Sequence, residues 1–205
     1  PENLEIIDIP LEEKIIPGRV DKNSGSASFN WLYNATNIVL NGKANALVTA
    51  PISKIAWHKA GHKFAGQTEL LGHLTNKKTS MLFTAISPKN GWRFNTLLAT
   101  THISINTINN NLSKDLITYK LNALLNFCRR FKEKPLIHIA GLNPHAGEEG
   151  KIGIEEQNLI IPILNEWRLD NPSIQISGPI PPDTCWISSA NAWNGTSREN
   201  NAPDG

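Results

Sequence analysis

The sequence predicts an α/β fold built in layers, with a largely parallel sheet and flanking helices. Two observations predict it. Short runs that are apolar on both faces, such as Ala46-Leu47-Val48-Thr49-Ala50 and Leu136-Ile137-His138-Ile139-Ala140-Gly141-Leu142, alternate with stretches of helical period. The chain has 205 residues, 40% of them hydrophobic, enough to bury a core as one large domain or two small ones.

The elements follow in order. From Ser24 onward Phe29, Leu32, Ala35, Ile38 and Val39 recur at helical spacing, with Ser24 or Ser26 as cap and Gly42 at the C-terminal end. Residues 46–50 read as a buried strand stopped by Pro51. A helix over 52–60 ends at Gly61, and a shorter one over 68–75 is opened by the Thr68 hydroxyl. Residues 79–86 and 93–101 are β-branched and apolar, and Pro88, Asn90 and Gly91 between them make a turn joining neighbouring strands. The clearest helix covers 113–131, with Leu116, Ile117, Leu121, Leu124, Leu125, Cys128 and Phe131 on one face. A strand over 136–142, a helix over 154–168 and a strand over 174–180 complete the pattern. Pro162 should kink that helix or shift its start.

Residues 1–184 therefore read as a partial α/β core, incomplete at both ends because the chain opens on Pro1 and loses its periodicity after Thr184. Residues 185–205 show neither helical nor strand period. They read as a disordered extension or as sequence unrelated to the fold before it.

Composition excludes several classes. The net charge of +2 is nearly balanced, and the densest basic run, Arg129-Arg130-Phe131-Lys132-Glu133-Lys134, closes a helix where cations suit the dipole. A nucleic-acid partner is not expected. No apolar stretch reaches the length of a membrane span, and no signal peptide opens the chain. Cys128 and Cys185 lack the spacing of a zinc knuckle, and the expected setting is cytoplasmic.

In parallel α/β sheets, ligands sit beyond the carboxyl ends of strands. Three segments fall there: Thr100-Thr101-His102-Ile103, Gly141-Leu142-Asn143-Pro144-His145-Ala146-Gly147-Glu148 and Gly178-Pro179-Ile180-Pro181-Pro182-Asp183-Thr184. Neutral imidazoles from adjacent strand ends suit one divalent metal, which makes His102 and His145 candidate ligands, although a lone loop histidine is more often a polar surface residue. His138, inside a strand, reads as packed and hydrogen-bonded, while His58, His62 and His73 read as surface residues. Glu155 and Glu156 fit either a loop approached by an anion or a first helical turn that complements the dipole. Gly66-Gln67-Thr68-Glu69 fits a phosphate-holding turn or a plain helix start, the latter favoured by spacing. No GxGxxG fingerprint follows a strand, so the residues alone do not point to a dinucleotide.

Taken together and in order, Val48-Thr49-Ala50-Pro51-Ile52-Ser53-Lys54, Phe64-Ala65-Gly66-Gln67-Thr68-Glu69, Leu98-Ala99-Thr100-Thr101-His102, the Asn-Pro-His-Ala-Gly-Glu stretch at 143–148, Gly153-Ile154-Glu155-Glu156 and the 178–184 segment resemble the 4-hydroxythreonine-4-phosphate dehydrogenase family of pyridoxal phosphate synthesis. The resemblance implies a two-domain α/β fold similar to the isocitrate and isopropylmalate dehydrogenases, working as a homodimer. It implies NAD- or NADP-linked oxidation of 4-phosphooxy-L-threonine, a small phosphorylated hydroxy-acid, followed by decarboxylation. It also implies a divalent metal (zinc, magnesium, manganese or cobalt) acting as Lewis acid, with His102 and His145 as ligands. Asp183 becomes the candidate for proton transfer, and Gln67 and Thr68 become substrate contacts. Two departures stand out: Gln67 replaces the histidine usual in the family, and no counterpart of the family's third metal histidine, phosphate-gripping basic residues or cofactor region is expected after Thr184. The alternatives are a catalytically inactive remnant that binds metal or a partner, and a sister dehydrogenase of a related four-carbon hydroxy-acid such as 4-phosphoerythronate. A metal-dependent phosphatase, lacking a paired-carboxylate motif, ranks last.

Overall fold

A computed structural model describes residues 4–11, 13–196 and 202–205, and the chain forms two compact units, Pro1–Thr79 and Ser80–Gly205. The division falls inside the expected 1–184 core and not at its end.

In the first unit, helix α1 (Lys22–Leu40) starts one turn before the expected serine caps. Asp21 is the N-cap, accepting the Ser24 amide at 3.0 Å, while the Ser24 hydroxyl accepts the Asp21 amide at 3.2 Å. Gly42, at φ +70°, ends the helix as expected. Ser53 caps α2 (Lys54–Lys59) through the Ala56 amide. Helices α1 and α2 pack closely because Gly25 carries no side chain: a Cβ there would lie 2.0 Å from the Ala56 carbonyl oxygen. Helix α3 (Gln67–Thr75) begins after Gly66 without a side-chain cap, so the Thr68 hydroxyl does not open it. Leu32, Trp57 and Leu70 form the core of this unit, with Phe29, Leu47, Ile52 and Phe64 against it.

The expected strand at 46–50 is absent. Its residues have no ladder partner among the described residues, Val48 is 95% exposed, and the polar groups of Thr49 and Ala50 turn instead to Gln67. His62 is also not a plain surface residue. Its ring stacks on Phe29 at 3.6 Å with 4° between the planes, and partial burial lowers its pKa.

The second unit holds the described strands. β1 (Leu82–Ile86) and β2 (Arg93–Leu97) form an antiparallel hairpin closed through Ser87, Asn90 and Gly91. β3 (Leu136–Ala140) and β4 (Gln175–Ile180) pair in parallel. The structure is α/β with parallel strands, but the described strands make two separate two-stranded sheets, and only one of them is parallel. A short helix, α4 (Ile108–Asn111), precedes α5 (Lys114–Cys128), which is capped by Ser113 and buries Leu121, Leu124, Leu125 and Cys128, most of the apolar face read from the sequence. Pro162 acts as expected. It has no N–H to donate to the Asn158 carbonyl, the preceding Glu156–Ile160 turn is a π-helix, and the regular helix α6 starts only at Ile161 (Ile161–Asp170). Leu164 and Trp167 on α6 meet Ile137 of β3 and the α5 leucines in one core.

The described residues 185–196 and 202–205 do not form the structureless tail expected. Ile187–Asn194 is a helix, α7, Cys185 and Ala192 are buried, and Ser87 donates to the Trp193 carbonyl at 2.7 Å. Asp204 and Gly205 lie along β3, with Asp204 N–H donating to the Leu136 carbonyl at 2.7 Å and His138 N–H to the Gly205 carbonyl at 2.8 Å. The helix signal here is weak: Ala, Asn, Ser and Trp give no clear apolar stripe, and burial of a few residues on neighbouring elements decides the outcome. Residues 197–201 lie outside the described residues. None of the described helices is long and apolar enough to cross a membrane.

Candidate functional site

The parallel pair β3–β4 delivers two loops side by side. Gly141 N–H donates to the Ile180 carbonyl at 2.7 Å, so the chain leaves both strands from one edge. From the first loop comes His145 and from the second Asp183, and His145 Nδ1 lies 3.5 Å from Asp183 Oδ2. Both side chains are about half exposed, 58% and 47%, so the pair is open to a ligand.

The His145 loop is unusual. His145, Ala146, Glu148 and Glu149 have φ between 43° and 57°, and Gly147 has φ +81°, a left-handed turn of consecutive residues. For L-residues this conformation costs roughly 1–2 kcal/mol each, and it persists only where the surroundings impose it. Gly147 is required twice over: besides its φ, a Cβ would meet the Gly153 carbonyl oxygen at 2.6 Å and a Glu156 carboxylate oxygen at 2.9 Å.

Glu156 lies against this turn. It is 1% exposed, and one carboxylate oxygen accepts the Leu142 and Asn143 amides, each at 2.7 Å. The other accepts the Asn143 side-chain N–H at 2.8 Å. Burial pushes its carboxyl pKa up, but the hydrogen bonds from Asn143 and Leu142 outweigh that and hold it below the usual carboxylate range. Glu155 adds a second grip, accepting Asn143 Nδ2 at 2.7 Å and Asn109 Nδ2 at 2.5 Å. As the sequence allows, Glu155 is the N-cap and Glu156 lies in the first turn of the helical segment, but the grip on residues 142–143 is not legible from it. The signal available was Gly153-Ile154-Glu155-Glu156 following a Pro-containing loop, which marks a constrained loop without saying which carboxylate turns inward.

His102 lies after β2, exposed, with φ +56°. Among the described residues no group of three or more His, Cys, Asp or Glu side chains comes together in a way that could hold a metal ion. His102, His145 and Asp183 therefore do not form a closed ligand set. His138 sits within β3 as expected, with Nδ1 3.4 Å from the Ser188 hydroxyl and its pKa lowered by burial.

Gln67 and Thr68 belong to the first unit. Gln67 Oε1 accepts the Thr49 hydroxyl at 2.7 Å and Nε2 donates to the Ala50 carbonyl at 2.8 Å, which leaves one amide N–H for another partner. Thr68 is exposed in the first turn of α3, beside helix amides that have no side-chain cap.

The chain is an α/β protein with an accessible imidazole–carboxylate pair beyond two adjacent parallel strands, where sheets of this class commonly hold ligands. More specifically, residues 1–194 match the family described as pyridoxal phosphate biosynthetic protein PdxA, and the chain belongs to that family. It is 50% identical over 206 residues to the 4-hydroxythreonine-4-phosphate dehydrogenase of Synechococcus sp. (strain RCC307), covering 100% of this chain and 63% of that protein. It is 33% identical over 189 residues to the D-threonate 4-phosphate dehydrogenase of Pectobacterium atrosepticum, covering 90% and 55%. A crystal structure of 4-hydroxythreonine-4-phosphate dehydrogenase from Klebsiella pneumoniae superposes with a TM-score of 0.80 at 34% identity, over 93% of this chain and 56% of that one. The chain thus spans less than two thirds of the length of these relatives. The matches also run past Thr184, so residues 185–194 are family sequence and not an unrelated tail.

Proposed function

We propose that this chain carries part of the machinery for NAD- or NADP-linked oxidation of 4-phosphooxy-L-threonine, with decarboxylation following, in pyridoxal phosphate synthesis. The observation that carries the reading is the His145–Asp183 pair, set by a strained loop at the strand ends of a chain 50% identical to a protein of that name. In that reaction the substrate hydroxyl would give its proton to the protein, and the carbon that bears it would give a hydride to a bound nicotinamide. The resulting β-keto acid then loses carbon dioxide.

Asp183, with His145 beside it, is the proposed acceptor of the hydroxyl proton, because an exposed carboxylate next to an imidazole can take a proton and pass it to solvent. Gln67, through its remaining amide N–H, and Thr68, through its hydroxyl and the uncapped amides of α3, are proposed contacts for the substrate phosphate or carboxylate. His102 and His145 are proposed donors to a divalent metal. Two imidazoles do not close a coordination shell, and a bound ion would act as Lewis acid on the substrate hydroxyl. The proposed assembly is a homodimer.

The likeness to a D-threonate 4-phosphate dehydrogenase supports a second reading, a sister enzyme of a related four-carbon phosphorylated acid such as 4-phosphoerythronate. The test is to mix the purified chain with NAD or NADP, a divalent metal and each of 4-phosphooxy-L-threonine, D-threonate 4-phosphate and 4-phosphoerythronate. Nicotinamide absorbance is followed at about 340 nm, the wavelength of the reduced ring. Metal-dependent reduction with the first substrate, lost in His145→Ala, supports the leading reading. Turnover of another substrate alone moves the assignment to the sister enzyme, and no turnover of any marks the chain as an inactive remnant.

A further inference from the structure

The Asn143-Pro144-His145 loop runs into a left-handed turn, and the side chain packed against its midpoint is Glu156. Glu156 is almost wholly buried, at 1% exposure, and besides its own backbone its partners are on one short stretch: the Leu142 amide, the Asn143 amide and the Asn143 side chain. A buried carboxylate with several N–H donors is a stiff clamp, because charge-assisted hydrogen bonds are short and directional. The clamped stretch ends at Asn143, and the left-handed run begins two residues later at His145. Gly147, in the middle of that run, is seated against Glu156 and the Gly153 carbonyl so closely that a Cβ would collide with both. The turn is therefore held by Glu156 at its entry and midpoint, and His145 lies between.

We propose that Glu156 is a positioning residue: by gripping residues 142–143 and backing Gly147, it fixes the left-handed turn that brings the His145 ring to Asp183. The inference deepens the proposed function and rests on it only for the use to which the pair is put. Glu156, at 1% exposure, is closed to a ligand. It sets the geometry of a residue that is open to one, much as outer-shell partners set the orientation of functional imidazoles elsewhere.

The test uses the whole chain and two variants. Glu156→Gln keeps the volume and one acceptor oxygen but places an N–H₂ group against the Asn143 donor. Asn143→Ala removes the side-chain strap while leaving the carboxylate compensated by the two backbone amides, and it keeps the test open should the first variant fail to fold. Amide hydrogen exchange is measured over residues 142–150 and over α5 and β4, and the His145 ring resonances are read by NMR, assigned with His145→Gln. The expected result is exchange accelerated about tenfold or more at 142–150 with α5 and β4 unchanged, together with displaced His145 resonances and undisplaced His138 resonances. Where the parent chain turns over substrate, kcat falls with KM little changed. Uniform acceleration across the second unit, or unmoved His145 resonances in a folded variant, overturns the proposal. If the parent chain turns over nothing, the proposed reaction fails, and exchange and ring resonances still decide the role of Glu156.

Discussion

His145 Nδ1 and Asp183 Oδ2 stand 3.5 Å apart although 38 positions separate them in sequence, because the parallel pairing of β3 and β4 sets their loops side by side. Both side chains are about half exposed, so the pair contributes at most about 1 kcal/mol to stability. Asp183→Asn should therefore leave the thermal melt almost unchanged. On the proposed function it lowers kcat about 100-fold or more, the scale of a lost general base. The assay at the nicotinamide band beside a calorimetric melt checks both, and a fully active Asp183→Asn would remove Asp183 from proton transfer.

Glu156 makes stability depend on pH in a definite direction. Its folded-state pKa lies below the usual carboxylate value, so the unfolded chain binds the proton more readily. The stabilisation is complete above the unfolded pKa and is lost as pH falls through the lower, folded value. Denaturant titrations should show Glu156→Gln less stable than the parent by roughly 2–3 kcal/mol at neutral pH, the scale of hydrogen bonds to a charged acceptor. The gap narrows below the carboxylate range. A gap that is constant with pH would mean that the charge contributes nothing.

The readable part of this fold was the part governed by local rules. The helical stripe of α5, the Gly42 and Gly61 stops, the hairpin turn between β1 and β2 and the effect of Pro162 each follow from residues a few positions apart. The failures share one physical origin, which is partnership. Ala46 to Ala50 has the composition of a strand, yet a strand exists only with a ladder neighbour, and the polar groups of Thr49 and Ala50 are taken by Gln67. The 185–205 segment lacks a pattern of its own, but its described residues pack on elements more than 50 positions earlier, as the Ser87–Trp193 and Leu136–Asp204 hydrogen bonds show. At the site, His145 and Asp183 could be picked out from their strand-end positions. Glu156 could not, because in sequence it looks like any glutamate at a helix start, and only the fold turns it inward.

Gly25 tests the packing of the first unit. A methyl group there would sit 2.0 Å from the Ala56 carbonyl oxygen and 3.1 Å from the Ala60 Cβ. In an exposed helix Gly→Ala gains up to about 1 kcal/mol from propensity. Here the overlap is with backbone, which cannot rotate away, so α1 must move off α2. Gly25→Ala is expected to destabilise the unit by about 1–3 kcal/mol, the usual scale of overpacking. Urea unfolding followed by tryptophan fluorescence, with a Trp57→Phe control to isolate that indole, measures it, since Trp57 is fully buried and donates to the Ser28 hydroxyl at 3.0 Å. A stabilised variant would show that the helices do not approach as described.

Cys128 offers a chemical probe of the second unit. The side chain is 2% exposed and its Sγ donates to the Asp204 carbonyl at 3.1 Å. Burial, helped by the negative charge of Asp204, pushes the thiol up to about 11. At pH 8 only about one part in a thousand is then thiolate, the reactive form. Cys185 is also buried and also raised, chiefly by desolvation. A thiol-specific disulfide reagent should therefore label neither cysteine at an appreciable rate in the native chain and both after denaturation. Because Asp204 also accepts Lys132 Nζ at 2.8 Å and the Leu136 amide at 2.7 Å, Asp204→Ala should loosen the segment that covers Cys128 and raise its labelling rate selectively. Fast native labelling of Cys128 in the parent chain would mean that residues 202–205 do not lie against α5 in solution.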